Sequence, residues 1–187
     1  MVLAHKVPLV RVEEYLELEK DGTVRHEYVD GRVFAVPGAS LRHGLIVGNI
    51  LQRLGEKLRG TKCTVFITDA KVKASSTAYY YPDLVVTCSP IPQTEYVCPD
   101  PILVVEVLSP TTEQIDRREK LLAYQRIDSV KEYLLVAQDQ MLIEIYRRQD
   151  DGVWEHEKFN QAGDLSLISV GVDLPVDEIY RGVSFEV

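Results

Sequence analysis

The sequence has few cysteines, and their spacing suggests no pairing. Cys63, Cys88 and Cys98 make an odd number, and no two of them are spaced as Cys-x-x-Cys. This usage favours a reducing compartment. We interpret all three as small core residues.

Long apolar runs are absent as well. No run approaches the roughly 18 residues that span a bilayer, and no cationic segment followed by an apolar one opens the chain. We therefore expect a cytoplasmic protein that has no membrane partner.

Positive charge is scarce relative to negative charge. The chain has 21 Lys and Arg residues against 29 Asp and Glu residues, a formal net charge of -8. This balance argues against a broad basic surface that holds nucleic acid by phosphate neutralisation alone. Any contact with nucleic acid is expected to be local.

The remaining composition is that of an ordinary globular protein. Of the 187 residues, 45% are hydrophobic and 27% are charged. This size and composition predict a single domain, residues 1–187, with an adequate core.

The first third of the chain alternates between helical and hairpin patterns. Residues 10–20 have the apolar spacing of a short amphipathic helix, and Asp30-Gly31 between two β-prone runs predicts a hairpin. Ser40 is expected to cap a long helix that Gly60 ends. The apolar stripe of that helix consists of Leu41, Leu45, Ile50, Leu54 and Leu58.

The rest of the chain predicts strands and one further long helix. Thr111, with Gln114 three residues later, has the spacing of a capping box at the start of that helix. The order of elements predicts an α/β fold in which helices flank a mixed central β-sheet. The predicted segments are strands at about 63–73, 79–87 and 101–108, a helix at about 112–126, and strands at about 131–137 and 141–147.

One predicted strand carries an unexpected charge. In "PILVVEVLSP" (101–110), Glu106 stands among valines and leucines. Because side chains alternate along a strand, both faces of this segment are apolar, which indicates a central, covered strand. An ionised carboxylate buried there without compensation would cost several kcal/mol. Something must therefore compensate Glu106.

Two other residues are candidates for the same site. Asp83 follows Pro82 at the head of "LVV", and it converges with Glu106 if the two strands are neighbours. Mg²⁺ and Mn²⁺ prefer such oxygen ligands. Lys120 shares a helix face with Asp116. A lysine there could orient an attacking water or stabilise charge on a phosphate.

Several segments together resemble the Uma2 family of restriction-endonuclease-like proteins, within the PD-(D/E)xK nuclease superfamily. They are "YVDGRVF" after "HE", "LRHGLIVGNILQRL", "YPDLVV", "ILVVEVLSPTTEQIDRREKLLAYQRI" and "VKEYLLV". The "EVLSP…D…K…Y" block is the most specific part. The resemblance implies an αβββαβ nuclease core and a divalent-metal site, Mg²⁺ or Mn²⁺, that cuts phosphodiester bonds.

The resemblance also implies roles for individual residues. Asp83 would be the acid of the "PD" element and Glu106 the acid of the "ExK" element, both as metal ligands. The sequence departs from the superfamily pattern at the lysine, and Lys120 of the next helix is the natural substitute. Glu27 could supply another ligand, and His43 could contact a phosphate or assist proton transfer.

Each of these residues also has a structural interpretation. Asp83 alone is typical of a turn or strand edge, Glu106 of a buried ion pair, and Lys120 of a solvated helix face. His43 fits the edge of a core, and Glu27 fits an exposed hairpin strand.

Two other groups of residues leave alternatives open. Arg117, Arg118 and Arg126 could contact a nucleic-acid backbone or simply be solvated. The run from Tyr79 to Tyr81 could stack unpaired bases, although strand propensity accounts for it.

The function we expect is metal-dependent endonucleolytic cleavage of DNA. The alternative is a catalytically inactive nuclease-fold domain that acts in nucleic-acid binding or protein interaction. A homodimer is expected because closed two-fold pairs dominate soluble assemblies.

Overall fold

The computed structural model describes residues 9–92 and 96–185. Its helical segments are α1 (Val12–Asp21), α2 (Leu41–Leu58), α3 (Glu113–Ile115), a π-helical turn (Asp116–Lys120), α4 (Leu121–Gln125) and α5 (Val176–Ile179). Its strands are β1 (His26–Val29), β2 (Arg32–Ala35), β3 (Thr64–Ile67), β4 (Val72–Ser75), β5 (Ala78–Tyr80), β6 (Leu84–Thr87), β7 (Pro101–Leu108), β8 (Glu132–Ala137), β9 (Ile143–Arg148), β10 (Trp154–Phe159), β11 (Asp164–Leu167) and β12 (Val172–Pro175).

The central sheet is mixed, as the sequence predicts. Its strand order is β10-β9-β8-β7-β6-β3, with β7 and β8 parallel and the other neighbours antiparallel. Alternate residues of β7 pack on opposite sides: Leu103 lies in the core cluster that contains α2 residues, and Val104 lies in the cluster that contains Tyr124 of α4. Both faces of β7 are thus covered by helices, which explains its continuous apolar sequence.

Helix α2 begins and ends as predicted. The Ser40 side chain accepts a hydrogen bond from the His43 backbone N–H, and Gly60 has φ +80°. The expected apolar stripe is only partly buried, since Leu41 is 96% exposed in the first turn. Within the described ranges, no helix has the length and apolarity to cross a membrane.

A second, four-stranded sheet has the order β2-β1-β5-β4. Its hairpin turns at Asp30 and Gly31, which both have positive φ, as the sequence predicts. The predicted strands 63–73 and 79–87 are each divided between the two sheets. The chain leaves the central sheet after Ile67 and rejoins it at Leu84. The division places Asp83 at the junction between the two sheets.

The helix after β7 departs from its predicted start. It begins at Glu113, and the Thr112 N–H donates a hydrogen bond to the Ser109 hydroxyl. The prediction that Thr111 caps this helix is therefore wrong. Its middle turn is π-helical, a form that is often found at functional sites. Both Asp116 and Lys120, the ends of that turn, are buried.

The interpretation of all three cysteines as unpaired core residues is wrong for two of them. Cys98 is buried and free, whereas Cys63 and Cys88 form a disulfide. The register of β3 and β6 pairs Thr64 with Thr87, so the two cysteines face each other one position farther on. Sequence spacing does not reveal this proximity, because strand register creates it.

Removing this disulfide is expected to destabilise the fold. It closes a loop with a sequence separation of 25, and the chain-entropy estimate for such a loop is about 3 kcal/mol. We expect the double substitution Cys63→Ser, Cys88→Ser to lower the free energy of unfolding by about that amount in urea. Identical urea curves for the wild type with and without reductant would contradict the expectation.

Candidate active site

A cleft of about 890 Å³ is lined by segments from both sheets and from the helices next to them. The five side chains that the sequence analysis proposes as a site all line it: Glu27, His43, Asp83, Glu106 and Lys120. They come from β1, α2, the segment before β6, β7 and the π-helical turn. Tertiary structure thus brings together residues that are up to 93 positions apart in the chain.

Asp83 and Glu106 lie side by side at one end of β6 and β7. Leu84 pairs with Val105 in this antiparallel register, which sets Asp83 opposite Glu106. Residues opposite each other on antiparallel strands point to the same face. Asp83 Oδ2 also accepts a hydrogen bond of 2.7 Å from the Val107 N–H, so the Asp83 carboxylate is held next to the backbone that follows Glu106.

Glu106 is 4% exposed and has two side-chain partners. Its Oε1 lies 3.0 Å from Lys120 Nζ and accepts a hydrogen bond of 3.3 Å from the Tyr124 hydroxyl. Burial raises the pKa of Glu106 well above its usual value, and the Lys120 charge opposes that rise without cancelling it. Glu106 therefore has a cationic partner, but burial still disfavours its ionised form.

Lys120 is the centre of a group of carboxylates. Its Nζ lies 2.9 Å from Glu27 Oε1, 3.0 Å from Glu106 Oε1 and 3.3 Å from Asp116 Oδ1. Burial lowers the pKa of Lys120, but the three carboxylates outweigh burial and hold that pKa well above its usual value. Lys120 is therefore a fixed positive charge with three acids around it, and its Nζ donates a hydrogen bond to Glu106.

His43 is held against Asp83. Its Nε2 lies 3.1 Å from Asp83 Oδ2, and its side chain is 10% exposed. Burial lowers the pKa of His43, whereas the hydrogen bond to Asp83 and the charge of that carboxylate raise it; the net shift is upward. The Ser40 cap sets the first turn of α2, from which His43 reaches the cleft.

Two residues near Lys120 have no role assigned by the sequence analysis. Asp116 is 1% exposed, burial raises its pKa, and its backbone carbonyl accepts a hydrogen bond from the Tyr133 hydroxyl. Tyr124 donates to Glu106. Asp116, Lys120 and Tyr124 recur every four residues in the sequence, which places them on one helix face but does not show that they are buried.

Negative charge exceeds positive charge in this part of the cleft. The carboxylates of Glu27, Glu106 and Asp116 surround one lysine, and Glu27, Asp83 and Asp116 all raise the pKa of Glu106. In the part of the chain that the structure describes, no group of three or more His, Cys, Asp or Glu side chains has a geometry that could hold a metal ion.

Arg117, Arg118 and Arg126, which the sequence left open, are not among the described residues that line the cleft. Arg117 pairs with Glu113 and Glu144. The three consecutive tyrosines are buried, at 4%, 1% and 7% exposure for Tyr79, Tyr80 and Tyr81. Their rings are thus unavailable for stacking with bases.

Comparisons with known proteins give one consistent family. A profile of the Uma2 family, described as "Putative restriction endonuclease", matches residues 12–177. The Synechocystis sp. protein slr1290 is 36% identical over 181 residues, which are 95% of each chain. A second Synechocystis sp. protein, sll1609, is 27% identical over 158 residues, 82% of this chain and 89% of that one. Both are described as uncharacterized.

A solved structure confirms the fold. The crystal structure of "a putative nuclease belonging to DUF820" from Anabaena variabilis matches with a TM-score of 0.76 and 19% identity, over 91% of this chain and 97% of that one. The predicted restriction-endonuclease-like αβββαβ core corresponds in order to α2, β3, β6, β7, the α3 to α4 helix and β8. The β4–β5 hairpin is inserted between its first two strands.

Proposed function

Because this chain belongs to the Uma2 family, as its motifs predict, we propose that it is a divalent-metal-dependent endonuclease that hydrolyses phosphodiester bonds of DNA. The supporting observation is the cross-strand placement of Asp83 beside Glu106 in a cleft with excess negative charge. The fold alone would not carry this proposal, because a fold hosts many functions.

The donor set fits Mg²⁺ or Mn²⁺. These ions take oxygen ligands, and Mg²⁺ in particular is usually held by one or two carboxylates and several waters. Asp83 and Glu106 would hold the cation, and its charge would offset the buried negative excess. When bound, such an ion supplies Lewis-acid stabilisation of phosphate charge and lowers the pKa of water.

The other cleft residues would stabilise charge on the substrate and position the carboxylates that hold the cation. Lys120 is a permanent charge whose Nζ lies within 3.3 Å of three carboxylates, so it would stabilise and orient and would not accept a proton. Glu27 fixes Lys120 and accepts a hydrogen bond from the Tyr81 N–H. His43 positions the Asp83 carboxylate through Nε2.

Metal binding is the first expected result. Titration of the protein with Mn²⁺ in a calorimeter is expected to give saturable heat, and Asp83→Asn should weaken the affinity by at least ~100-fold, because a ligand matters more than the outer contacts that cost 10–100-fold. Asp139→Asn is the matched control, since Asp139 is an exposed acid that lines the same cleft. It should leave the affinity unchanged.

The calorimetry also separates this proposal from the alternative of an inactive nuclease-fold domain. A domain whose acids serve only as ion-pair partners of Lys120 would give no Mn²⁺ heat, or heat that Asp83→Asn leaves intact. DNA as the substrate and a homodimer as the assembly stay predictions from the sequence.

A further inference from the structure

We propose that the substrate of this cleft is an unpaired nucleic-acid strand and not an intact duplex. The unpaired strand is either a free single strand or the single-stranded tail of a duplex. The inference rests on the proposed nuclease function. It is carried by the size of the cleft, the burial of the acids on its floor, the contacts across its rim and the scarcity of cationic groups.

The cleft has the size of a small-ligand pocket. Its volume is about 890 Å³, within the roughly 300–1,000 Å³ of pockets that enclose drug-sized molecules. A short stretch of unpaired strand is of that size, whereas a duplex with both strands paired is far wider.

The candidate catalytic groups lie at the bottom of this cleft. The exposed fractions of the side chains are 5% for Glu106 and Lys120, 10% for His43, and 17% for Asp83 and Glu27. A phosphate must enter the cleft to approach them. A single strand can bring its phosphate in without a paired second strand.

The rim is tied together at two places. Arg25 Nε lies 3.0 Å from Asp69 Oδ1, which links the segment before β1 to the segment after β3. The Ser40 hydroxyl donates to Gln138 Oε1 at 2.7 Å, which links the start of α2 to the loop after β8. All four residues line the cleft. Both links are exposed to solvent, so each opposes widening of the rim only weakly.

The charges of the residues that line the cleft favour a single strand, because its charge density is lower than that of a duplex. Two arginines line the cleft among the described residues, Arg25 and Arg42, and Arg25 is already paired with Asp69. Apolar residues line the cleft as well, namely Val24, Val36, Pro37 and Val47. Duplex DNA carries one charge per about 1.7 Å and is normally held by many cationic contacts. This cleft offers apolar surface for bases and one arginine without an acidic partner among the described residues, Arg42, whose guanidinium donates a long hydrogen bond of 3.5 Å to the Gln138 carbonyl.

The test uses one oligonucleotide sequence in three forms: single-stranded, blunt duplex, and duplex with a single-stranded tail, each as DNA and as RNA with Mn²⁺. The single strand and the tail are expected to be cut at least ~10-fold faster than the blunt duplex, with cuts confined to unpaired nucleotides. Blunt duplex cut as fast as the single strand, within its paired region, would overturn the inference and leave the nuclease function standing.

If none of the three forms is cut, two measurements show whether the proposed function or the inference about the substrate has failed. They are Mn²⁺ binding and nucleic-acid binding. Absence of Mn²⁺ binding together with absence of cleavage overturns the proposed function, and the inference with it. If Mn²⁺ binds, fluorescence anisotropy decides: the single strand should bind at least ~10-fold more tightly than the duplex, and equal affinities would overturn the inference.

Arg42 gives the inference a residue-level test. Arg42→Gln is expected to weaken single-strand binding about tenfold and to reduce the slope of log affinity against log salt by about 0.7. Arg53→Gln is the matched control, because Arg53 lies eleven residues farther along α2, on the same helix face and about 16 Å away. Equal effects of the two substitutions would contradict the contact.

Discussion

Glu106→Gln is expected to lower the rate of metal-dependent cleavage by ~10²–10³-fold or more, the loss seen when a single well-placed electrostatic group is removed from an active site. The substitution keeps the shape of the side chain and removes its charge. Lys120 keeps Glu27 and Asp116 as partners, and the buried site loses a carboxylate whose pKa is already raised by burial. The variant should therefore fold at least as stably as the wild type.

The measurement is single-turnover cleavage with Mg²⁺ and with Mn²⁺, together with thermal unfolding of the same samples. Glu155→Gln on the exposed strand β10 is the matched control, and it should change neither rate nor stability. Cleavage at the wild-type rate in Glu106→Gln would eliminate this site. A large loss of stability would instead assign Glu106 to the structural ion pair with Lys120.

Lys120→Met is expected to lower the free energy of unfolding by about 3–5 kcal/mol, the cost of removing one partner of a buried ion pair. The lysine is 4% exposed and lies within 3.3 Å of three carboxylates. Methionine fills much of the same volume but leaves those carboxylates with no cation between them. Lys57→Met, on the exposed end of α2, should change stability by no more than about 0.5 kcal/mol.

A double-mutant cycle in urea checks the cause of the Lys120 effect. Adding Glu106→Gln to Lys120→Met removes one of the unpaired acids, so the double variant should be more stable than Lys120→Met alone. Strictly additive effects would show that the charges of Glu106 and Lys120 are not coupled. A Lys120→Met protein as stable as the wild type would mean that the three carboxylates do not need the lysine.

The elements that the sequence predicts well are those with a local cause. The Asp30-Gly31 hairpin, the Ser40 cap and the Gly60 stop each depend on the backbone preferences of one or two residues, and the structure has all three. The charge of Glu106 within an apolar strand is also a local pattern. The elements that the sequence predicts poorly depend on neighbouring residues. At the start of the helix after β7, for example, the Ser109 hydroxyl, and not Thr111, accepts a hydrogen bond from the Thr112 N–H.

The five site residues are an intermediate case. The motif resemblance selects them, and the tertiary structure puts them in one cleft. The roles of Asp83 and Glu106 as metal ligands stay predictions. Asp116 was visible in the sequence only as a helix-face neighbour of Lys120, because nothing in a spacing of four residues tells a solvated pair from a buried one.

The sequence by itself determined that an acid would lie in a covered central strand and that it would need a positive partner, since alternation and the cost of burying charge are properties of a single segment. Only the tertiary structure decided which groups compensate it, that Cys63 meets Cys88, and which residues line the cleft above the acids. Those outcomes depend on strand register and on the meeting of two sheets, which bring together residues far apart in the chain.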